Sequence, residues 1–567
     1  MATTTDTTTA AASGGGAAPA IPKVPGALPL LGHLRQLLTD PTGFLNSLPA
    51  HGDLVEIRLG PRRTYVVCTP ELVAPVLLTG RQEFDKGGPF FENIAVFFGD
   101  GLATCPHAKH PRLRRFTQPA FHPHKLVDYA ELAGREIEAV TAAWREGEVL
   151  DVYRVMQELA LRITVSTMFA SWFSEEDTAD GGAEASAEGA GAVGGAGTAG
   201  EGAPAMGGTG AEERIRDTLR DVDTLVSGAF LRMVAPGIRH VPLLPTNRRY
   251  EKARRSFYAR IDATIAAYRS DGRDRGDLLS MLLTPDEEGA SLTDTEVREQ
   301  VMTMFIAGIG TTAAMLSWSL HHLAVHPELD AAVAAEARAV RGGATTRHEQ
   351  LSRLTTLSHV VTESFRITPA AWLFSRTTIH DTELGGHRVP AGADILISPY
   401  LLHHRPDLFP DPERFDPERW SGDPQSWVKA ERALTMIPFG TGFRKCVGRD
   451  FSVNNITLAL ATMLADWRLT PEDATPVTIS GRSIIEPRNL RLRVRARPAA
   501  ETGRESRAGD GAGAGAVAKA AAGDGTCPRA GSATGTDASA SGTADEGSGT
   551  ATGSVREDGT AAMEEAR

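Results

Sequence analysis

Cysteine is scarce in this chain: four in 567 residues, at Cys68, Cys105, Cys446 and Cys527. No two form a CxxC pair, which argues against a zinc cluster, and their irregular spacing argues against a secreted disulfide framework. The opening residues, MATTTDTTTAAASGGG, lack the basic and apolar regions of a signal peptide. No unbroken apolar run reaches the roughly 18 residues that a bilayer span needs. These absences predict a cytoplasmic protein without a transmembrane anchor. Positive charge is also in deficit, at a net −12, which weighs against nucleic acid as a partner.

Apolar side chains are nearly missing from three segments: residues 1–20, about 178–211 and 499–567. Such segments bury too little surface to offset chain entropy, so they are expected to be a disordered tail, a disordered surface insert and a second disordered tail. The rest is expected to form one large body with internal lobes.

Within that body the pattern is mostly helical, with apolar residues three and four apart as far as Val361. The stretches LVEIRLG and RTYVVCT (54–60 and 63–69) predict a strand pair around a short Gly-Pro turn. After Arg376, TTIHDTELGGHRVPAGADILIS has strand-like runs broken by Gly and Pro, and LRLRVR (490–495) alternates as a strand with one dry face. The fold class is therefore mainly α, with small sheets at one side.

One helix is unusually long. A capping box at Thr293 and Glu296 starts it and Pro327 stops it after His326. It spans roughly 50 Å and must cross the body. Its middle reads AGIGTT (307–312), where each glycine weakens a helix by about 1 kcal/mol relative to alanine. Close packing is one explanation. A local opening that frees Thr311 from its own backbone is the other.

The stretch FGTGFRKCVG (439–448) sets Cys446 among Gly440, Gly442, Gly448, Phe439, Phe443, Arg444 and Lys445, with Arg449 following. A metal-binding cysteine must be a thiolate, which cations, N–H donors and a helix N-terminus favour. The stretch DFSVNNITLALATML supplies that helix, glycines allow a flat ligand to approach, and the phenylalanines dry the site. A buried inert cysteine in a Gly-rich loop is the plainer alternative.

Other motifs decide between these. The chain resembles the cytochrome P-450 family of haem-thiolate monooxygenases. Its signature FxxGxRxCxG is met at Phe439, Gly442, Arg444, Cys446 and Gly448, and its ExxR at Glu363 and Arg366. FDPERW supplies the third member of that ion network, Arg419. The resemblance runs from about residue 21 to 498 and makes that stretch a haem domain. It implies haem b (iron-protoporphyrin IX) with Cys446 as the iron ligand. Phe439, Gly440 and Gly448 would lie against the haem, and His110, Arg114, Arg376 and Arg444 would hold its propionates. Thr311 and Thr312 would serve the oxygen side. The family usually carries an acid at the position of Gly310, and its absence here leaves proton delivery to water, the substrate or another side chain.

The resemblance also sketches a substrate pocket: Phe90, Phe91, Ile94 and Phe97 from PFFENIAVFF, then Ala307, Ala371, Trp372, Phe374, Ile484 and Ile485. The region from Pro369 to Trp420 is similar to bacterial terpene oxidisers, so an apolar terpenoid leads, with fatty acids and polyketides open. The implied reaction inserts one atom of O2 into substrate. Electrons would come from NAD(P)H through a separate ferredoxin and ferredoxin reductase, and the basic surface at Lys445 and Arg449 would dock that partner. A peroxide-driven oxygenase or isomerase, and a non-enzymatic haem-thiolate sensor, are the alternatives.

Overall fold

The computed structural model describes residues 19–87, 95, 99–170, 172, 209–234, 244–341, 346–481 and 483–498. Nine helices of eight or more residues lie within these: α1 (His110–Thr117), α2 (Pro123–Ala142), α3 (Val152–Met168), α4 (Thr209–Val234), α5 (Pro245–Asp271), α6 (Asp294–Val325), α7 (Pro327–Val340), α8 (Thr355–Ile367) and α9 (Arg449–Asp466). α4 begins at Thr209, inside the segment expected to be an unstructured insert.

The long helix is α6. Both halves of the capping box form, with the Thr293 side chain bonded to the Glu296 N–H and the Glu296 carboxylate to the Thr293 N–H. It ends at Val325, before Pro327. Its apolar residues surround it instead of forming one stripe, which is the mark of a fully buried helix. It packs along α3 and crosses α5. Phe305 is the hub of that crossing: its ring lies 4.9 Å from Phe169, 4.6 Å from Trp172 and 5.2 Å from Phe257. By length and composition alone α6 could cross a membrane, which corrects the expectation that no stretch qualifies. Its apolar window is 72% buried inside the body, so that surface is already used in packing.

Four small sheets frame this helical body. The largest contains β1 (Leu54–Leu59), β2 (Arg62–Val67), β3 (Phe84–Asp85), β5 (Phe374–Thr378) and β8 (Asp394–Ile397), in the order β1-β2-β8-β5-β3. The pair β1 and β2 is antiparallel, with Leu54 opposite Val67. β2 then runs parallel to β8, with Thr64 opposite Asp394, so nearly the whole helical body forms the crossover. A second sheet joins β4 (Val149–Asp151) to β9 (Trp467–Pro471) through β12 (Arg491–Ala496), which buries Leu492 and Val494. Two hairpins complete the set: β6 (Thr382–Leu384) with β7 (His387–Val389), and β10 (Thr478–Gly481) with β11 (Ile485–Arg488).

Candidate functional site

Helix α8 carries the most buried ion pair of the body. Glu363 and Arg366 are three residues apart, fully buried, and joined by two hydrogen bonds of 2.9 and 2.8 Å. Glu363 also accepts from Arg419 Nε (3.3 Å), Trp420 Nε1 (3.0 Å) and the Asp416 N–H (3.0 Å). Arg366 donates to the carbonyls of His403 (2.9 Å) and Arg414 (3.2 Å). Every charge in this network therefore has fixed partners, the condition under which a buried pair is tolerated.

A histidine passes that order to the cysteine loop. His403 Nδ1 bonds the Arg366 carbonyl at 3.1 Å, and its Nε2 accepts the Ile437 N–H at 2.9 Å. One ring nitrogen must donate and the other accept, so the imidazole is neutral. Burial, and then the charges around it, hold its pKa well below the ordinary value. The sequence reading missed His403, because nothing local ties it to Arg366 or Ile437.

From Ile437 the chain enters the loop. Gly442 sits at φ +71°, and a Cβ there would stand 2.1 Å from the Leu77 carbonyl, so only glycine fits. The Cys446 N–H closes the loop on the Phe439 carbonyl at 3.0 Å, and α9 begins three residues later. Phe439 is anchored on Phe365, 4.9 Å away. The Cys446 side chain is densely surrounded, yet it keeps accessible surface, and that surface lines a cavity. Burial raises its thiol pKa. The Gly448 N–H, then Arg114 and Lys86, act the other way.

These are not the cations expected from the sequence. Lys445 and Arg449 are both paired to Glu431, at 3.0 and 3.2 Å, and Arg449 also to Asp450 at 2.6 Å. The two cations expected to dock an acidic partner are thus each paired with a local carboxylate. Arg444 turns toward Cys105 Sγ (3.8 Å) and Asp85 (3.5 Å). Arg114 reaches from α1 to the Lys445 carbonyl at 2.7 Å.

The cavity measures about 1210 Å³. That exceeds the roughly 300–1,000 Å³ of an ordinary ligand pocket, leaving room for a cofactor and a substrate together. On the Cys446 side it is lined by Lys86, His110, Arg114, Arg376 and Arg444. Asp85 is the carboxylate that reaches Arg444 among the described residues. The cations crowd one another. Burial, then Arg444, lowers Arg376 to about 10, and burial, then Arg376 and Arg444, lowers Lys86 to about 7. Arg444 Nε is buried without a hydrogen-bond partner. A wall with surplus buried positive charge and an orphaned guanidinium N–H fits a ligand bearing carboxylates, and haem carries two. Gly440 and Gly448 line the same cavity, where a Cβ would approach Phe374 or Phe121 at 3.7 and 3.5 Å. The residues present therefore fit haem. Lys86 was missed in the sequence; only its pairing of burial with neighbouring arginines marks it.

The opposite side of the cavity is the middle of α6. Ala307, Gly310, Thr311 and Thr312 all line it. The helix is unbroken there, and Thr311 Oγ1 donates to the Ala307 carbonyl. This corrects the idea of a local opening that frees Thr311: a threonine hydroxyl reaches the carbonyl four residues back without disturbing the ladder. Ala371, Trp372, Phe374 and Ile484 line the cavity as expected. Ile485 does not. It is fully buried in β11, and its carbonyl accepts Trp318 Nε1 at 3.3 Å. Phe90, Phe91, Ile94 and Phe97 lie outside the described residues.

Known proteins agree with this geometry. Residues 22–493 match the Cytochrome P450 family. Pentalenene oxygenase of Streptomyces avermitilis is 38% identical over 83% of this chain and 97% of its own length. Two proteins of Streptomyces melanosporofaciens are similarly near. Cyclooctatin synthase is 40% identical over 80% of this chain and 91% of its own, and cyclooctat-9-en-7-ol 5-monooxygenase is 39% identical over 80% and 90%. A match of that extent, over a cavity that sets one cysteine opposite a long helix, makes this chain a member of the cytochrome P450 family and a monooxygenase that works with haem, O2 and electrons from a redox partner.

Proposed function

We propose that this monooxygenase oxidises a terpenoid. Cys446 would ligate the haem iron, His110, Arg114, Arg376 and Arg444, together with Lys86, would hold the propionates, and Thr311 with Thr312 would serve the oxygen side. Bound haem, with a thiolate ligand, would supply the dioxygen activation that a monooxygenase needs. The chain's own part is positioning. The Glu363, Arg366 and Arg419 network, through His403, holds the loop so that Cys446 faces the cavity. Burial, and then Arg444 and Arg114, lower the His110 pKa to about 3, and its ring N–H would offer a propionate a hydrogen bond. Phe439 and Phe374 present apolar rings to the cavity. Electrons come from NAD(P)H through a separate ferredoxin and its reductase, in the cytoplasm.

The observation that carries the substrate class is the cavity wall, where Ala307, Ala371, Trp372, Phe374 and Ile484 present apolar surface. The three relatives named above support it, since their names specify pentalenene, cyclooctatin and an alcohol of the same kind. The test is the substrate-induced shift of the haem absorption band, screened over terpenoids, fatty acids and macrolides. Terpenoids are expected to shift the band at the lowest concentration. A response confined to fatty acids or macrolides would overturn the reading.

A further inference from the structure

The cavity has a polar wall that none of the roles above uses. Tyr153 and Gln157 on α3, Asp223 on α4 and Glu486 on β11 all line it. They stand in two pairs. Gln157 Nε2 donates to Asp223 Oδ1 at 3.2 Å, and Tyr153 lies near Glu486, whose charge raises the pKa of its hydroxyl after burial does. The pairs also act on each other, since the charge of Glu486 raises the pKa of both Tyr153 and Asp223. Asp223 keeps accessible surface, and its carboxyl is raised from its ordinary value first by partial loss of hydration, with the Gln157 hydrogen bond and, most weakly, Arg154 acting the other way. The neighbours in the wall are mostly apolar, Val222, Val226, Phe230 and Ile484, with Ser227 and Ser483 beside them.

Two carboxyl groups in such a wall are a liability for a substrate made only of hydrocarbon. Seating it would strip water from both and return no hydrogen bond. They become an asset when the substrate has a hydrogen-bond donor of its own. A hydroxyl suits the set best. Its O–H donates to a carboxylate oxygen, and its oxygen accepts from the Gln157 amide or the Tyr153 hydroxyl.

The place is also right. A Cβ built on Gly310 would lie 3.9 Å from the Tyr153 hydroxyl and 3.2 Å from Ile484 Cδ1. The polar wall therefore begins one side chain away from α6, next to Thr311. With glycine at 310, no Cβ stands between α6 and the Tyr153 end.

We propose that Tyr153, Gln157, Asp223 and Glu486 form a subsite for a hydroxyl group on a substrate that already carries oxygen. This rests on the terpenoid reading and places the enzyme late: an earlier hydroxylation, or a cyclisation ended by water, must supply the alcohol it oxidises further.

The full-length, haem-loaded protein is titrated with matched hydrocarbon and alcohol pairs, valencene with nootkatol and abietadiene with abietadienol. Calorimetry and the haem band shift report binding separately. The alcohol of at least one pair is expected to bind about tenfold more tightly. Asp223→Leu should erase that preference while hydrocarbon binding holds or improves, and Gln157→Leu should weaken it in the same sense should the first variant fail to load haem. Equal binding of hydrocarbon and alcohol to the wild type sinks the subsite and leaves the terpenoid reading standing. An unchanged alcohol preference in the variants, with more peroxide released per electron consumed, overturns the subsite in favour of a proton route. Binding of fatty acids with none by any terpenoid sinks the terpenoid reading and the subsite together.

Discussion

The two walls of the cavity are built on opposite terms. Behind Cys446 the polar groups face one another: Glu363 accepts five hydrogen bonds from four residues, and each ring nitrogen of His403 is engaged with the backbone. Across the cavity, Asp223, Glu486, Gln157 and Tyr153 line the open space, and Thr311 makes its bond within its own helix. A wall that must hold one sulfur in one place is over-determined. A wall that must accept a particular molecule needs only part of its capacity left over: Gln157 and Asp223 share one hydrogen bond at 3.2 Å, which leaves an amide hydrogen and a carboxylate oxygen for a ligand.

The sharpest way to break this comparison is at the sulfur. Cys446→His should abolish the red-shifted absorption of the reduced carbon monoxide complex, the signature of thiolate ligation. An unchanged spectrum would remove Cys446 from its assigned role. Next in size is the network behind it. Glu363→Ala or Arg366→Ala leaves a buried charge without its partner and should lower stability by about 3–5 kcal/mol, with haem content falling in parallel. Thr311→Ala, on the opposite wall, should leave unfolding nearly unmoved. Equal losses in denaturant melts of the two would erase the distinction between the walls.

A buried acid elsewhere shows what Glu363 avoids. Glu136 on α2 is 4% exposed, its nearest cation, Arg162, lies 3.9 Å away, and Oε2 has no hydrogen-bond partner. Arg162 is instead held by Glu158 at 2.9 Å. Burial, opposed by Arg162 and Arg135, raises the Glu136 pKa from 4.5 to about 7. Between those values the folded state keeps a proton that the unfolded chain has released, so stability falls as pH rises and the loss is complete above about 7. The penalty is roughly 3 kcal/mol at most. Glu136→Gln should flatten that fall in melts run from pH 4 to pH 8. A parallel pH profile in the variant would show that Arg162 compensates the charge after all.

The smallest effect expected is at Gly308. It is helical, and a Cβ there would meet Thr164 Oγ1 at an ordinary 3.4 Å. Gly308→Ala should therefore stabilise α6 by up to about 1 kcal/mol. At Gly310 the gain should be less, because Ile484 Cδ1 stands at 3.2 Å and must move aside. Denaturant melts of the two alanine variants measure the difference, and a loss at Gly308 would mean that α6 needs its glycine for closeness to α3.

By itself the sequence determined whatever rests on neighbours along the chain. The capping box of α6, its stop at Pro327, the strand pair at 54–67, the i, i+3 pairing of Glu363 with Arg366 and the turn chemistry of the cysteine loop all depend on residues a few positions apart. Only the tertiary structure decided the rest. Glu431 pairs with Lys445 and Arg449 from 14 and 18 residues away. Arg366 meets the His403 carbonyl 37 positions on, and Lys86 joins arginines contributed by other elements. Asp223 and Glu486 come to one wall from α4 and β11. The exchange between Ile484 and Ile485 is the same lesson at its smallest scale. Ile484 stands in the bend just before β11 and faces the cavity, while Ile485, the first residue of the strand, is fixed in the core by pairing and packing, so one position separates a cavity wall from the core.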